Sequence, residues 1–141
     1  MKNVFSIILT ALLFSCGTQK IVSYNYLAST RGYTLTIDVN KETVKIVTDN
    51  RRNENGPETK SSVTDPELWN ALQKGSKTIK LNEIEKLESP TNRRQFDGAM
   101  FAKLTLTTQD STYRSAGFDH GKPPIMLKTV ADSMVTIGLG K

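Results

Sequence analysis

Two short polar clusters bring together side chains that could bind a ligand or move a proton. One is Arg93-Arg94-Gln95-Phe96-Asp97-Gly98, and the other is Phe118-Asp119-His120-Gly121-Lys122-Pro123-Pro124. His120 is the only histidine of the chain. An imidazole beside carboxylates is the residue set for acid–base work near neutral pH. A second chemistry is open to the same residues. A helix expected to start after Pro123-Pro124 would present free N–H groups and partial positive charge, and with His120 and Lys122 nearby it would suit a small anion or a carboxylate. The candidate ligand-binding set is therefore Arg93, Arg94, Asp97, Asp119, His120 and Lys122. Structural use competes with both readings. Asp97-Gly98 and His120-Gly121 are turn pairs, Asp119 can accept from nearby N–H groups, and either arginine can pair with Asp97.

No nucleophile is marked. Ser111 and Ser115 lie on the same hairpin as His120, but no spacing ties either to a base. Zinc needs three or four ligands, and one histidine with one cysteine leaves only carboxylates to complete a site, so no metal and no cofactor is expected. Gly138-x-Gly140 is too short and too late for a phosphate loop. A small hydrolase or lyase using His120 with Asp97 or Asp119 is carried as an alternative, without a catalytic signature behind it.

Convergence of the two clusters depends on the elements between them. Met100, Ala102, Leu104 and Leu106 alternate with polar residues, and Gln109-Asp110-Ser111 turns the chain into a return strand over 112–118. That hairpin would bring both clusters to one end of a sheet. Upstream, Tyr33, Leu35, Ile37 and Val39 alternate in the same way, and Asn40-Lys41-Glu42 leads to a strand over 43–48. Residues 49–60 are polar with Asn55-Gly56-Pro57 and read as a loop, followed by a short strand over 61–64. Thr64-Asp65-Pro66-Glu67 is a helix start with Thr64 as cap. Leu68 and Leu72 line the face of that helix, Trp69 anchors it, and Gly75 is the expected stop. Asn82 to Glu85 reads as a short helical turn. Leu127, Val130, Met134 and Ile137 form the apolar stripe of a last helix.

The order strand-strand-strand-helix-strand-strand-helix predicts an α+β fold, with an antiparallel sheet of about five strands and helices packed on one face. The chain has 141 residues, which suits one domain. The expected division is 1–15 as a removed leader, 16–30 as a tether and 31–141 as the single domain, although 21–27 has the composition of a short edge strand. A formal charge of +5 is a mild excess. The pairs Arg51-Arg52 and Arg93-Arg94 have no aromatic residues interleaved, so nucleic acid is not an expected partner.

The single cysteine, Cys16, cannot form an intramolecular disulfide. It follows Lys2 and an apolar run from Val4 to Phe14, shorter than the roughly 20 residues that span a bilayer as a helix. Cleavage by the ordinary rule would want small residues at −3 and −1, and Leu13 is not small. Leu13-Phe14-Ser15-Cys16 instead resembles the lipobox of bacterial lipoproteins: leucine at −3, a tolerant −2, a small −1 and cysteine at +1. The resemblance implies lipid attachment at the Cys16 thiol, cleavage before it and acylation of the new amine. Two or three acyl chains anchor stably where one does not, since each buried CH₂ adds about 0.8 kcal/mol. Gly17, in place of the aspartate that retains some lipoproteins at the inner membrane, implies the outer membrane, facing the periplasm. The layout also resembles that of other small bacterial lipoprotein domains, and this likeness carries no residue roles.

The expected function is a membrane-anchored, non-enzymatic binding or scaffolding module of the cell envelope. Its partners are the membrane through the anchor and an envelope protein or small anionic ligand. An inhibitor-type or stress-related lipoprotein is the other alternative, binding an envelope protein through the open sheet or loops. A long, ordered loop over 49–60 would favour it.

Overall fold

The structure, a computed structural model, describes residues 19–140. Cys16 and the leader lie outside the described residues. The chain runs β1 (Ile21–Thr30), β2 (Tyr33–Asn40), β3 (Thr43–Asn50), β4 (Glu58–Val63), α1 (Pro66–Ser76), β5 (Phe101–Thr108), β6 (Thr112–Arg114), β7 (Phe118–Asp119) and α2 (Lys128–Gly138). Three 3₁₀ turns punctuate it, at Leu81–Lys86, Arg93–Phe96 and Ile125–Leu127. The fold is α+β. One antiparallel sheet has seven strands in the order β4-β3-β2-β1-β5-β6, with β7 also on β5.

Period-two burial makes the sheet. Tyr24, Tyr26 and Ala28 of β1, Leu35, Ile37 and Val39 of β2, and Ala102, Leu104 and Leu106 of β5 are all buried on one face. The helices close that face with Trp69, Leu72, Leu127, Val130, Ala131 and Met134. Tyr24 ties the layers together. Its ring meets Trp69 edge-on at 5.7 Å and its hydroxyl bonds Ser76 at 3.0 Å. The other face is half-exposed and rich in serine, threonine and asparagine, with Asn25 bonded to Asp38 at 2.7 Å.

Several expectations are corrected by the sheet. Seven strands replace about five. The largest change is β1, in the stretch expected to belong to a tether: it lies between β2 and β5 and is central. A register shift between Ile21 and Ser23 inserts one residue, so Ile21 and Tyr24 both turn inward and the alternation is broken where it begins. β3 extends to Asn50 and β4 begins at Glu58, so the expected 49–60 loop shrinks to a short turn. Arg51 N–H bonds Gly32 O at 2.9 Å and Asn53 N–H bonds Asn50 O at 2.7 Å. The return strand over 112–118 is two short strands. Gly117 separates them, where an added Cβ would lie 2.1 Å from the Phe101 ring.

Helix starts and stops also differ. Asp65, not Thr64, caps α1: its carboxylate accepts from Glu67 N–H at 2.7 Å. The Thr64 hydroxyl donates instead to Asn40 O at 2.8 Å. Gly75 lies inside α1 and does not end it. A Cβ there would sit 2.9 Å from Thr129, so its smallness permits the close crossing of α1 and α2.

Candidate functional site

The two clusters do meet, through β5 and β7. Phe101 pairs with Asp119 and Ala102 with Phe118, which sets residue 119 beneath the 89–98 segment. The Asp119 carboxylate is 1% exposed and takes four donors. Thr91 hydroxyl donates at 2.6 Å and Arg93 N–H at 2.7 Å, both to Oδ2. Arg94 gives its N–H and its Nη1, each at 3.0 Å, to Oδ1. Nη1 of Arg94 also reaches Thr91 O at 2.9 Å and Ser89 Oγ at 3.2 Å. A carboxylate has about four lone-pair sites, so Asp119 is saturated by its own chain. Burial pushes its pKa up, but the donors from Thr91, Arg94 and Arg93 outweigh that and hold it well below the usual carboxylate range.

The reading of Asp119 as an acceptor for nearby N–H groups is the one the structure shows. An anion at the first turn of a helix was expected after Pro124. The 3₁₀ turn Arg93–Phe96 turns its leading N–H groups to the chain's own Asp119 on β7. After Pro124 the chain makes the 3₁₀ turn Ile125–Leu127, and α2 starts only at Lys128, without a side-chain cap.

The remaining candidates go elsewhere. Asp97 is left-handed at φ 55, and its 73% exposed carboxylate lies 3.9 Å from Arg31. That is a loose surface pair of little energetic weight. Arg93 contributes its backbone to Asp119, while its side chain is exposed. Lys122 is exposed, and its N–H closes the turn on Asp119 O at 2.8 Å. His120 N–H bonds Met100 O at 2.9 Å. Its ring bonds neither acid: Nδ1 meets the Tyr26 hydroxyl at 2.9 Å.

Tyr26 is fully buried, and burial pushes its phenol far up. The nearby Gly121 N–H works the other way. Burial also pushes the half-buried His120 below its ordinary 6.5, so the imidazole is neutral at pH 7.

Sequence reading missed Ser89, Thr91 and Tyr26. Ser-x-Thr just ahead of two arginines was a usable signal for a hydroxyl-lined turn. Tyr26 had none, because its partner lies 94 residues away. Chemically, the arrangement holds one buried carboxylate ionised, and among the described residues His120 Nε2 has no hydrogen-bond partner. Among the described residues, no group of three or more His, Cys, Asp or Glu gathers as for a metal, and no helix is long and apolar enough to cross a membrane. Compared with known protein families, curated proteins and solved structures, the chain matches none of them.

Proposed function

We propose that this chain is an envelope lipoprotein, anchored through Cys16 in the outer membrane, whose domain is a non-enzymatic binding module. The observation that carries the non-enzymatic part is the saturation of Asp119. The acid best placed to act with His120 accepts four hydrogen bonds and has no capacity left for a substrate. Asp97, the other acid, is on the surface with Arg31.

The anchor part rests on Leu13-Phe14-Ser15-Cys16 and is supported by the place where the sheet begins. Ile21 follows Cys16 by five residues, a reach of at most about 18 Å. It pairs with Thr108 at one end of the sheet, whereas the Asp119 cluster lies beside Phe101 and Ala102 at the other. The ten residues of β1 separate the two ends by roughly 30 Å. An anchored domain would thus hold one end against the bilayer and present the other. Expression of the full chain with Cys16→Ala tests the anchor: acyl mass at residue 16 and membrane fractionation should both be lost. A Cys16→Ala protein that is still cleaved and still sediments with membranes would refute it.

A further inference from the structure

The two long sides of the sheet end differently, and the β4 side is bare. All six residues of β4 are exposed. Its hydrogen-bond phase follows from one contact: Thr64 N–H bonds Glu42 O at 3.0 Å, which extends the β3–β4 ladder by one step. Antiparallel bonding alternates along the strand. Glu58, Lys60 and Ser62, opposite Thr48, Ile46 and Val44, therefore turn their backbone groups toward β3. Thr59, Ser61 and Val63 turn theirs outward, and among the described residues no strand lies beyond them.

A groove of about 630 Å³ adjoins this edge, between the end of β4 and the two helices. Val44, Leu68 and Ile137 give it an apolar wall, and Val63 at its rim is 84% exposed. Asp65 and Asp132 are its charged lining residues, and Asp132 is already paired with Lys128 one turn back on α2, which leaves Asp65 as the acid facing the groove without a cation.

We propose that β4 is a strand-addition site for an extended segment of another envelope protein, apolar at alternate positions and carrying a lysine or arginine where it passes Asp65. This rests on the binding-module reading and names the partner's chemistry. An added strand satisfies the outward N–H and C=O groups, and its alternate side chains fall on the groove side. Charge complementarity selects the basic residue.

A second copy fits less well in the registers centred on Thr59, Lys60 and Ser61. Self-pairing about Lys60 sets two ammonium groups opposite each other. Pairing about Thr59 brings Pro57, which has no N–H, against Ser61. Pairing about Ser61 brings Glu58 of each copy up to Thr64 and next to Asp65 of the other, a like-charge approach.

The test places a photoreactive phenylalanine derivative at residue 60, or at residue 96 at the far end of the sheet, in the full chain in intact cells. Crosslinked peptides are sequenced. The expected residue-60 adduct is a segment of alternating apolar residues with a lysine or arginine. Ser61→Pro removes an outward N–H while leaving the β3 ladder intact, and should cut the yield about tenfold. Val63→Lys, at an exposed position that does not threaten folding, should cut it severalfold by repelling the basic residue. Thermal melting confirms that both variants fold. Adducts insensitive to both substitutions, adducts lacking that pattern, or adducts to a second copy would overturn the proposal. Capture from residue 96 alone would overturn it and leave the binding-module reading standing. Capture from neither position would sink both.

Discussion

The Asp119 end and the β4 edge are opposite solutions to the same problem. Both bring polar groups together where the sheet stops. At Asp119 the carboxylate is answered from within: four donors on its two oxygens, and Arg94 Nη1 shared among Asp119, Thr91 and Ser89. At β4 the outward backbone groups have no partner from the chain itself, and all six residues are exposed. Charged residues are abundant at both, so charge alone does not mark a working surface. Whether the valences are already filled is the more telling property.

That contrast can be broken or sharpened by substitution. The largest effect belongs at Asp119. Asp119→Ala strands the Arg94 guanidinium and two N–H groups, and should lower stability by about 3–5 kcal/mol in urea denaturation. A loss below about 1 kcal/mol would mean that the network is solvated and not a clamp. Next comes the helix crossing. Gly75→Ala drives a Cβ to 2.9 Å from Thr129 and should cost about 1–3 kcal/mol, although alanine favours helix at an open site. Tyr26→Phe keeps the buried ring and removes the hydroxyl that meets His120, for a loss of about 1 kcal/mol. Smallest is Lys60→Ala on the bare edge, within about 0.5 kcal/mol in the isolated protein. A larger value there would show that β4 is held by contacts of its own.

Acid should expose the same asymmetry. Asp119 has a depressed pKa in the fold, so its contribution is complete above the ordinary 3.8 and is lost as the pH falls below that value. His120 is also depressed, here by burial of a base. The folded state resists its protonation, so stability falls as the pH drops below 6.5. Both groups therefore make the protein acid-labile, in two steps. His120→Gln should flatten the step just below pH 6.5 and leave the lower one, as read by denaturation across a pH series. An unchanged upper step would assign it to another group.

Much of the architecture was legible because it is local. The alternation in 33–39 and 100–106 and the stripe of Leu127, Val130 and Met134 specify faces without reference to the rest of the chain. The illegible parts are long-range or depend on a single residue's displacement. β1 hid because one inserted residue broke its period at the start and because its open face carries Ser23 and Asn25. The site was half legible. The pairing of 118–119 with 101–102 followed from the hairpin, and so the two clusters met. Which acid would be buried did not follow, since Asp97 and Asp119 are equal in sequence and differ only in what folds over them. Tyr26 could not be assigned to His120 without knowing that β1 lies beside β5.

The central position of β1 also imposes an order on events as the chain emerges. β2, β3 and β4 follow it directly and can pair in turn as a meander. Its other flank must wait for β5, whose partners Ser23 and Thr107 are far apart in sequence. A chain threaded N-terminus first thus carries, for most of its emergence, a temporary edge in the strand that will end at the centre. That interval is when pairing with the wrong strand is easiest, and it closes only once residue 108 has passed.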